Sequence, residues 1–314
     1  CGYNILAADK KSSLCYMSSE GELQTPFTLP FTEHESLLPW YEAIQNNETF
    51  FVYQQGGEEL VAHYSYMKTL PELKSVFKQL DDAGIELPTF QVNHLAKFKE
   101  GFLLFITYEE VPEAHEIFKR FAKVFEQTYT RFLDLKKAEA QARESQIEAS
   151  LEKVRSRSMA MHSSQELSDV ITVVSEQLQQ LKIRFDHVSF AINNDGEDYH
   201  FWTALYGRPH PYELKVPYLD NPIANKPKEV RASGLKFYQD TLTPEENREW
   251  LKHAFKHNPS DYLSTEEKAY ALNSGFSRSL ALMPNIILAV GNYASKPYAA
   301  EDNGIIKRFA AVFE

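Results

Sequence analysis

Apolar and polar residues recur along this chain with two different periods, and the places where the period changes mark its elements. Short runs rich in aromatic and β-branched residues at 3–8, 13–18, 50–54, 90–95 and 102–108 predict strands. Helical spacing separates them. Thr69-Leu70-Pro71-Glu72 has capping-box spacing ahead of an amphipathic run through Val76, Phe77 and Leu80, and Gly84 stands where a helix ends. Gly56-Gly57 reads as a turn before a helix at Glu58. Further on, Thr243-Pro244-Glu245-Glu246 opens a helix carrying Trp250, Leu251 and Phe255, and Ser264-Thr265-Glu266-Glu267 opens another. The same spacing in Ser163-Ser164-Gln165-Glu166 precedes an apolar stripe through Leu167, Val170, Ile171, Val174, Leu178 and Leu181. The pattern as a whole is mixed α+β.

From about 114 to 161 there is neither Gly nor Pro, and the segment predicts one long helix. Apolar residues fall at Phe118, Phe125 and Phe132, with Phe121 and Leu135 between them, and reappear one residue out of phase at Leu133, Ala140, Ile147, Val154 and Met161. A seven-residue stripe with a phase shift suits a dimeric coiled coil with a discontinuity. The same stripe also suits a single helix lying on its own two domains, with Glu139, Arg143, Glu144, Glu148, Glu152 and Arg155 solvating its outer face.

The chain repeats itself. Ile117-Phe-Lys-Arg-Phe-Ala-Lys-Val-Phe-Glu126 returns as Ile305-Ile-Lys-Arg-Phe-Ala-Ala-Val-Phe-Glu314, with eight identities in ten at an offset of 305 − 117 = 188 residues. Pro26-Phe-Thr-Leu-Pro-Phe31 pairs with Pro211 to Tyr218, Phe51-Val-Tyr-Gln54 with Lys236-Phe-Tyr-Gln239, and Phe102 to Ile106 with Ile286 to Val290. A repeat this long is a whole domain and its connector. The expected organisation is a first domain at 1–113, a long helix at 114–162, a second domain at 163–304 and the start of a following helix at 305–314. By the same logic a leading helix, like the one after Ser163, is expected ahead of residue 1, so both ends read as cut from something longer.

The 314-residue length with 43% hydrophobic residues fits two domains that each bury a core. A net charge of −11 disfavours nucleic-acid binding, which needs clustered Lys and Arg. No apolar run approaches the roughly 20 residues of a bilayer span, and the N-terminus lacks a basic-then-apolar leader. No membrane contact is expected, and the compartment reads as cytoplasm. Cys1 and Cys15 have neither disulfide-framework nor metal spacing and are expected to be ordinary reduced thiols.

No GxSxG, HExxH, P-loop or GxGxxG pattern is present, so no catalytic residue is assigned. Glu59 and His63, four apart on a helix, read as a surface contact and not as a metal site. His162, followed by Ser163, Ser164 and Gln165, lacks the acidic neighbour and nearby proline expected around a phosphoaccepting histidine. The modules do concentrate rings: Tyr16, Tyr53, His63, Tyr64, Tyr66 and His94 in the first, and His200, Trp202, Tyr206, His210, Tyr212 and Tyr238 in the second. Of these, Tyr16, Tyr53, His63, His94, His200, Trp202, Tyr212 and Tyr238 are the candidate ligand-binding set. The alternative is that they are core and rim residues.

Phe125-Glu-Gln-Thr-Tyr-Thr-Arg-Phe-Leu-Asp-Leu-Lys-Lys-Ala-Glu-Ala-Gln-Ala-Arg143, Ile147-Glu-Ala-Ser-Leu-Glu-Lys-Val-Arg-Ser-Arg-Ser-Met-Ala-Met161, Gln24 to Phe31 and Gly57-Glu-Glu-Leu60 together carry a resemblance. The chain resembles the tandem GAF-like sensor modules of large bacterial signalling proteins, typically histidine kinases of the Bacteroidetes. The resemblance implies two domains, each an antiparallel sheet with helices, joined by a coiled-coil-like connector. It further implies a non-catalytic sensory fragment that couples binding of a small molecule or partner to a dimeric helix ahead of an output domain. Phe118, Phe121, Phe125, Phe132, Leu133, Ala140, Ile147 and Val154 would then form the seam of a parallel homodimer. No cofactor is assigned, because the Asn-Lys-Phe-Asp-Glu cyclic-nucleotide pattern and a bilin-type cysteine are both missing. The stretch from Pro209 to Pro227, with prolines at 209, 211, 217, 222 and 227, sets the second module apart from the first. A ligand-free dimerisation scaffold and, less favoured, a small-molecule enzyme are the competing readings.

Overall fold

The computed structural model describes residues 1–314 apart from 20, 164–165, 193–197, 259–261, 285 and 314. The chain divides into two compact units, Cys1–Ala138 and Glu139–Glu314. Each is built on an antiparallel sheet.

In the first unit the strands are β1 (Gly2–Leu6), β2 (Ser12–Ser19), β3 (Glu22–Leu23), β4 (Phe27–Pro30), β5 (Phe50–Gly56), β6 (Phe90–Phe98) and β7 (Gly101–Thr107). The helices are α1 (Leu38–Gln45), α2 (Gly57–Met67), α3 (Lys74–Asp82) and the 45-residue α4 (His115–Met159), whose first part belongs to this unit. The strand order is β3-β2-β1-β7-β6-β5, with β4 also paired to β2. Strand alternation sorts the core into two layers. Leu95, Phe102 and Leu104 join Trp40, Leu73 and Phe77 on the side of α1 to α3. On the other side, Ala96, Phe98, Leu103 and Phe105 meet Phe118, Ala122, Phe125 and Tyr129 of α4.

Gly101 occupies the tight place where β7 meets β1. A Cβ there would lie 1.8 Å from the carbonyl oxygen of Asn4, so only glycine lets the two backbones pair. Gly84 has φ of +67° and closes α3 as the sequence predicts. Thr69 does not cap that helix: its hydroxyl donates to the Tyr66 carbonyl at 2.7 Å, and Pro71 starts a short 3₁₀ turn ahead of α3. Pro71 sits comfortably at the first position of that turn, where no N–H is needed.

The second unit contains α5 (Leu167–Gln180), β8 (His187–Ile192), β9 (Tyr199–Leu205), β10 (Tyr212–Val216), α6 (Pro222–Ala232), β11 (Phe237–Leu242), α7 (Pro244–His257), α8 (Thr265–Asn273), β12 (Phe276–Leu282), β13 (Ile286–Asn292) and α9 (Ala300–Ala311), together with the end of α4. Its strand order, β10-β9-β8-β13-β12-β11, follows that of the first sheet with β10 paired to β9 as β4 is to β2, and among the described residues it has no counterpart of β3. Thr243 and Ser264 both form complete capping boxes. Of the Ser163 to Glu166 box, Ser164 and Gln165 lie outside the described residues, and the Glu166 carboxylate accepts from the His162 N–H at 3.2 Å and the Ser163 hydroxyl at 3.3 Å.

One face of this sheet, through Val188, Phe190 and Ala204, packs against a helical layer made by α5, α9 and the end of α4. Ile147, Leu151 and Val154 of α4 are buried there with Val170, Ile171, Val174 and Leu178 of α5 and Ile305, Ile306 and Phe309 of α9. Arg308 of α9 ties the layer together by donating to Glu144 at 2.7 Å and to Glu148 at 2.5 Å. The opposite face carries α6, α7 and α8, and it is less completely filled.

Candidate functional site

Between that second face and α7–α8 lies a cavity of about 330 Å³, and a smaller one of about 100 Å³ shares His187, Ser189, Phe201 and Trp250 with it. The walls follow from the strand period. Phe201, Thr203 and Leu205 of β9 face the cavity, so His200 and Trp202, one residue out of step, face the other way. Trp250 and Ala254 come from consecutive turns of α7, and Tyr270 and Ala271 from α8. Gly291 on β13 has no Cβ, and the Phe276 ring occupies that space, 2.0 Å from where a Cβ would be. From there the ring stacks on His187 at 5.0 Å.

The polar groups at this site are few, and its arginines are paired with carboxylates. Arg208 donates to Glu267 at 2.6 Å and to the Tyr262 carbonyl at 2.9 Å. Arg278 grips Asp240 with two bonds of 2.7 and 2.9 Å, and Asp186 accepts the Tyr293 N–H at 2.6 Å. The hydroxyls of Ser189 and Thr203 share a bond of 2.8 Å, which engages one of their two hydrogens. His187 has ring neighbours but no hydrogen-bond partner among the described residues. Burial pushes its pKa down to about 4, so the ring is neutral. Burial likewise raises the Tyr293 and Tyr262 hydroxyls. The chemistry on offer is stacking, apolar contact and a few neutral donors and acceptors, with no activated nucleophile.

The first unit closes the corresponding face with a polar network. Gln55 accepts from Asn93 at 2.9 Å and from Gln91 at 3.2 Å, and Tyr64 donates to Gln91 at 2.7 Å. Ser36 bridges the Nδ1 atoms of His63 at 3.0 Å and His34 at 2.8 Å. Gln55–Gln91 and Asp240–Arg278 are cross-strand partners in equivalent strand pairs. The repeat thus holds one polar position in two forms, neutral in the first unit and ionic in the second. An open groove of about 700 Å³ along α2, lined by Val61, Tyr64, Lys68 and Leu87, is the largest concavity described for the first unit.

The eight candidate ligand residues are dispersed. Tyr16 stacks on Tyr3 at 4.6 Å beside α4. His94 also faces α4, against His115 and Phe118, and donates to or accepts from Thr107 at 3.0 Å. Tyr53 donates to Glu59, and His63 is buried on Ser36. In the second unit His200 pairs with Glu213 at 2.6 Å and Trp202 packs toward α5. Tyr212 lies 4.3 Å from Tyr262, a wall residue, and Tyr238 is half-buried beside Arg278. None of the eight lines the larger cavity; Tyr206 does. His187, Ser189, Thr203, Trp250 and Tyr293 are not among the candidates, and the alternation of β8 and β9 is the signal that could have found three of them.

The connector residues are also sorted by the fold. Phe118 and Phe125 are half-buried on the first sheet, and Ile147 and Val154 lie in the core of the second unit, so these four are covered within the chain. Phe121, Phe132, Leu133 and Ala140 are exposed. His162 is exposed, with its backbone N–H bonded to Glu166. Among the described residues no cluster of His, Cys, Asp and Glu could hold a metal ion, and no helix is long and apolar enough to cross a membrane. Cys1 is exposed, and the thiol of Cys15 is pushed up to about 12 by burial. No protein-family model matches the chain, and no curated protein matches it.

His63 and His187 set an acid limit on stability. Both are held near pKa 4, against about 6.5 when unfolded, so the unfolded chain binds protons that the folded chain refuses. The stability they allow is complete above pH 6.5 and falls as pH drops toward 4. Each is expected to cost about 2 kcal/mol between pH 7.5 and pH 5. Denaturant midpoints at the two pH values, compared with His63→Gln and His187→Gln, check this; an equal pH slope in wild type and both variants would refute it.

Proposed function

We propose that this chain is a non-catalytic, ligand-sensing fragment of a signal-transduction protein, built from two GAF-like modules and acting in the cytoplasm ahead of the output domain of a histidine kinase. The observation that carries the reading is the partly open aromatic cavity of the second unit, with neutral His187 and the Ser189–Thr203 pair turned to it and both neighbouring arginines paired with carboxylates. An uncharged, flat molecule suits it. An anionic ligand would compete with Asp240 for Arg278 in a part-buried ion pair, and with Glu267 for Arg208 in an exposed one. The two antiparallel sheets, whose central five strands follow one order, support the modular part of the reading.

The route for a signal lies within the second unit. Phe201 and Thr203 touch the cavity, while their strand neighbours Trp202 and Ala204 touch the layer that holds the end of α4. A guest that shifts β9 therefore acts on α5 and α4 through the same strand. The polar network that closes the corresponding face of the first unit favours a structural role for that module. An enzymatic reading is less favoured, because His187 has no carboxylate or nucleophile bonded to it.

Native mass spectrometry on the chain purified gently from its own cells tests the proposal. A reproducible small-molecule mass is expected on the native chain and is expected to vanish in Ala254→Trp, which fills the cavity. Bare protein in both cases would sink the reading.

A further inference from the structure

The polar network of the first unit closes one end of the sheet face that α1 to α3 cover, and the other end stays open. Toward that open end Phe51 of β5 pairs with Leu95 of β6, and Lys97, two residues on, pairs with Phe102 of β7. The two-residue strand period keeps Leu95 and Lys97 on one side of the sheet. With Leu6 of β1 and Ile44 of α1, these residues line a partly open cavity of about 140 Å³. Its charged residues are Lys10, Lys97, Lys99 and Glu48, three cations against one carboxylate in a chain whose net charge is −11. Lys97 donates to the neutral side-chain carbonyl of Asn47, so its charge is left uncompensated. Lys99 lies 3.9 Å from Glu100, at the limit of an ion pair, and Lys10 has no carboxylate partner among the described residues.

The repeat sharpens the contrast. Counting along β12 from Arg278, the counterpart of Gln91, places Leu282 at the position of Leu95 and Pro284 at that of Lys97. There a buried Val230 of α6 packs with Leu282 and Ile287. The second unit thus fills the place with an apolar side chain and has no cation at that strand position, whereas the first unit leaves room and supplies lysines.

We propose that this end of the first unit binds a small monocarboxylic acid, its apolar body in the cavity and its carboxylate among Lys10, Lys97 and Lys99. A cavity of about 150 Å³ lined by Leu, Ile and Phe takes up benzene, so the space here suits one aromatic ring or a short branched alkyl chain. A neutral guest gains only apolar burial, while an anion also gains charge-assisted hydrogen bonds from the ammonium groups. Glu48, in the same rim, disfavours a second negative charge and so selects a monoanion. Phenylacetate has both parts, a ring and a carboxylate one carbon away. The proposal is independent of the ligand reading for the second unit, which concerns other residues and an uncharged guest.

Calorimetric titration of the chain with phenylacetate, and with phenylacetamide as its uncharged counterpart, is the test. The acid is expected to fill one site with a dissociation constant of about 0.1 to 1 mM, and the amide to bind at least about tenfold more weakly. Lys10→Gln/Lys97→Gln should bring the acid down to the affinity of the amide. Neither lysine is buried, so that variant should keep its circular dichroism and its denaturant midpoint. Ala43→Leu, which fills the cavity from α1, should abolish binding of both compounds. In Ala254→Trp, which fills the second-unit cavity, binding of the acid should be unchanged. No saturable heat at about 10 mM phenylacetate, tenfold above the expected range, overturns the proposal. Equal affinities for acid and amide overturn it too, as does acid binding that survives the lysine double variant. Loss of acid binding in Ala254→Trp would place the acid in the second unit and likewise refute this site.

Discussion

Phe309→Ala is expected to cost the second unit about 3–5 kcal/mol, whereas Phe121→Ala, at the same place in the repeat, should cost the first unit less than about 0.5 kcal/mol. The two phenylalanines stand in nearly identical local sequences, Lys-Arg-Phe-Ala, on helices. Their surroundings differ. Phe309 is fully buried among Val174, Leu178 and Ile305, so truncation removes its transfer energy and leaves a hole that α5 cannot close without moving β9 as well. Phe121 is largely in solvent and has little to lose. Amide exchange separates the effects, with β12 and β13 reporting on the second unit and β6 and β7 on the first. Comparable losses in both units would mean that burial, as described, does not govern the repeat.

Much of this architecture is legible in the sequence, and the reason differs by element. α4 was legible because 45 residues without Gly or Pro leave the backbone no alternative to helix. The capping boxes at Thr243 and Ser264 are local, four-residue devices, and they form as read. Thr69 has the same spacing but is followed by Leu70-Pro71, and proline two residues on redirects the chain into a 3₁₀ turn. The repeat anchors predicted corresponding strands, and the two sheets share one order through their central five strands. β4 was legible only as a repeat anchor, because a four-residue strand bounded by prolines carries too little alternation to stand out.

What could not be read was which face of each element is covered. The seven-residue spacing of Phe118 and Phe125, or of Ile147 and Val154, records that a helix is apolar on one side. It does not record whether the other surface is a second chain, its own sheet or its own neighbouring helices. The fold gives the last two answers for these four residues. The cavity was hidden for a related reason. His200 and Trp202 are as suited to ligand binding as Phe201 and Thr203, and a single strand presents both pairs. Only the placement of α7 and α8, set by contacts distant in sequence, makes one side a cavity and the other a core.

The buried pair beside that cavity carries the second large effect. Arg278→Ala is expected to destabilise the second unit by about 3–5 kcal/mol, because it strands Asp240 without the two bonds that offset its removal from water. The side chains are 10% and 25% exposed, so water can replace the guanidinium only in part. Arg278 also reaches the Ile223 carbonyl at 3.4 Å, which links β12 to the start of α6, and the variant should loosen that helix too. The first unit shows how the position works without charge, through Gln91 donating to Gln55 at 3.2 Å. Asp240→Gln/Arg278→Gln copies that arrangement and is expected to recover most of the loss, since no ion is left unpaired. Unfolding followed by the fluorescence of Trp250, which lies in the same unit, measures both variants. If the double variant is as unstable as Arg278→Ala, the cost arises from lost packing around the arginine stem and not from the stranded carboxylate, and the charge balance claimed for the cavity wall loses its main support.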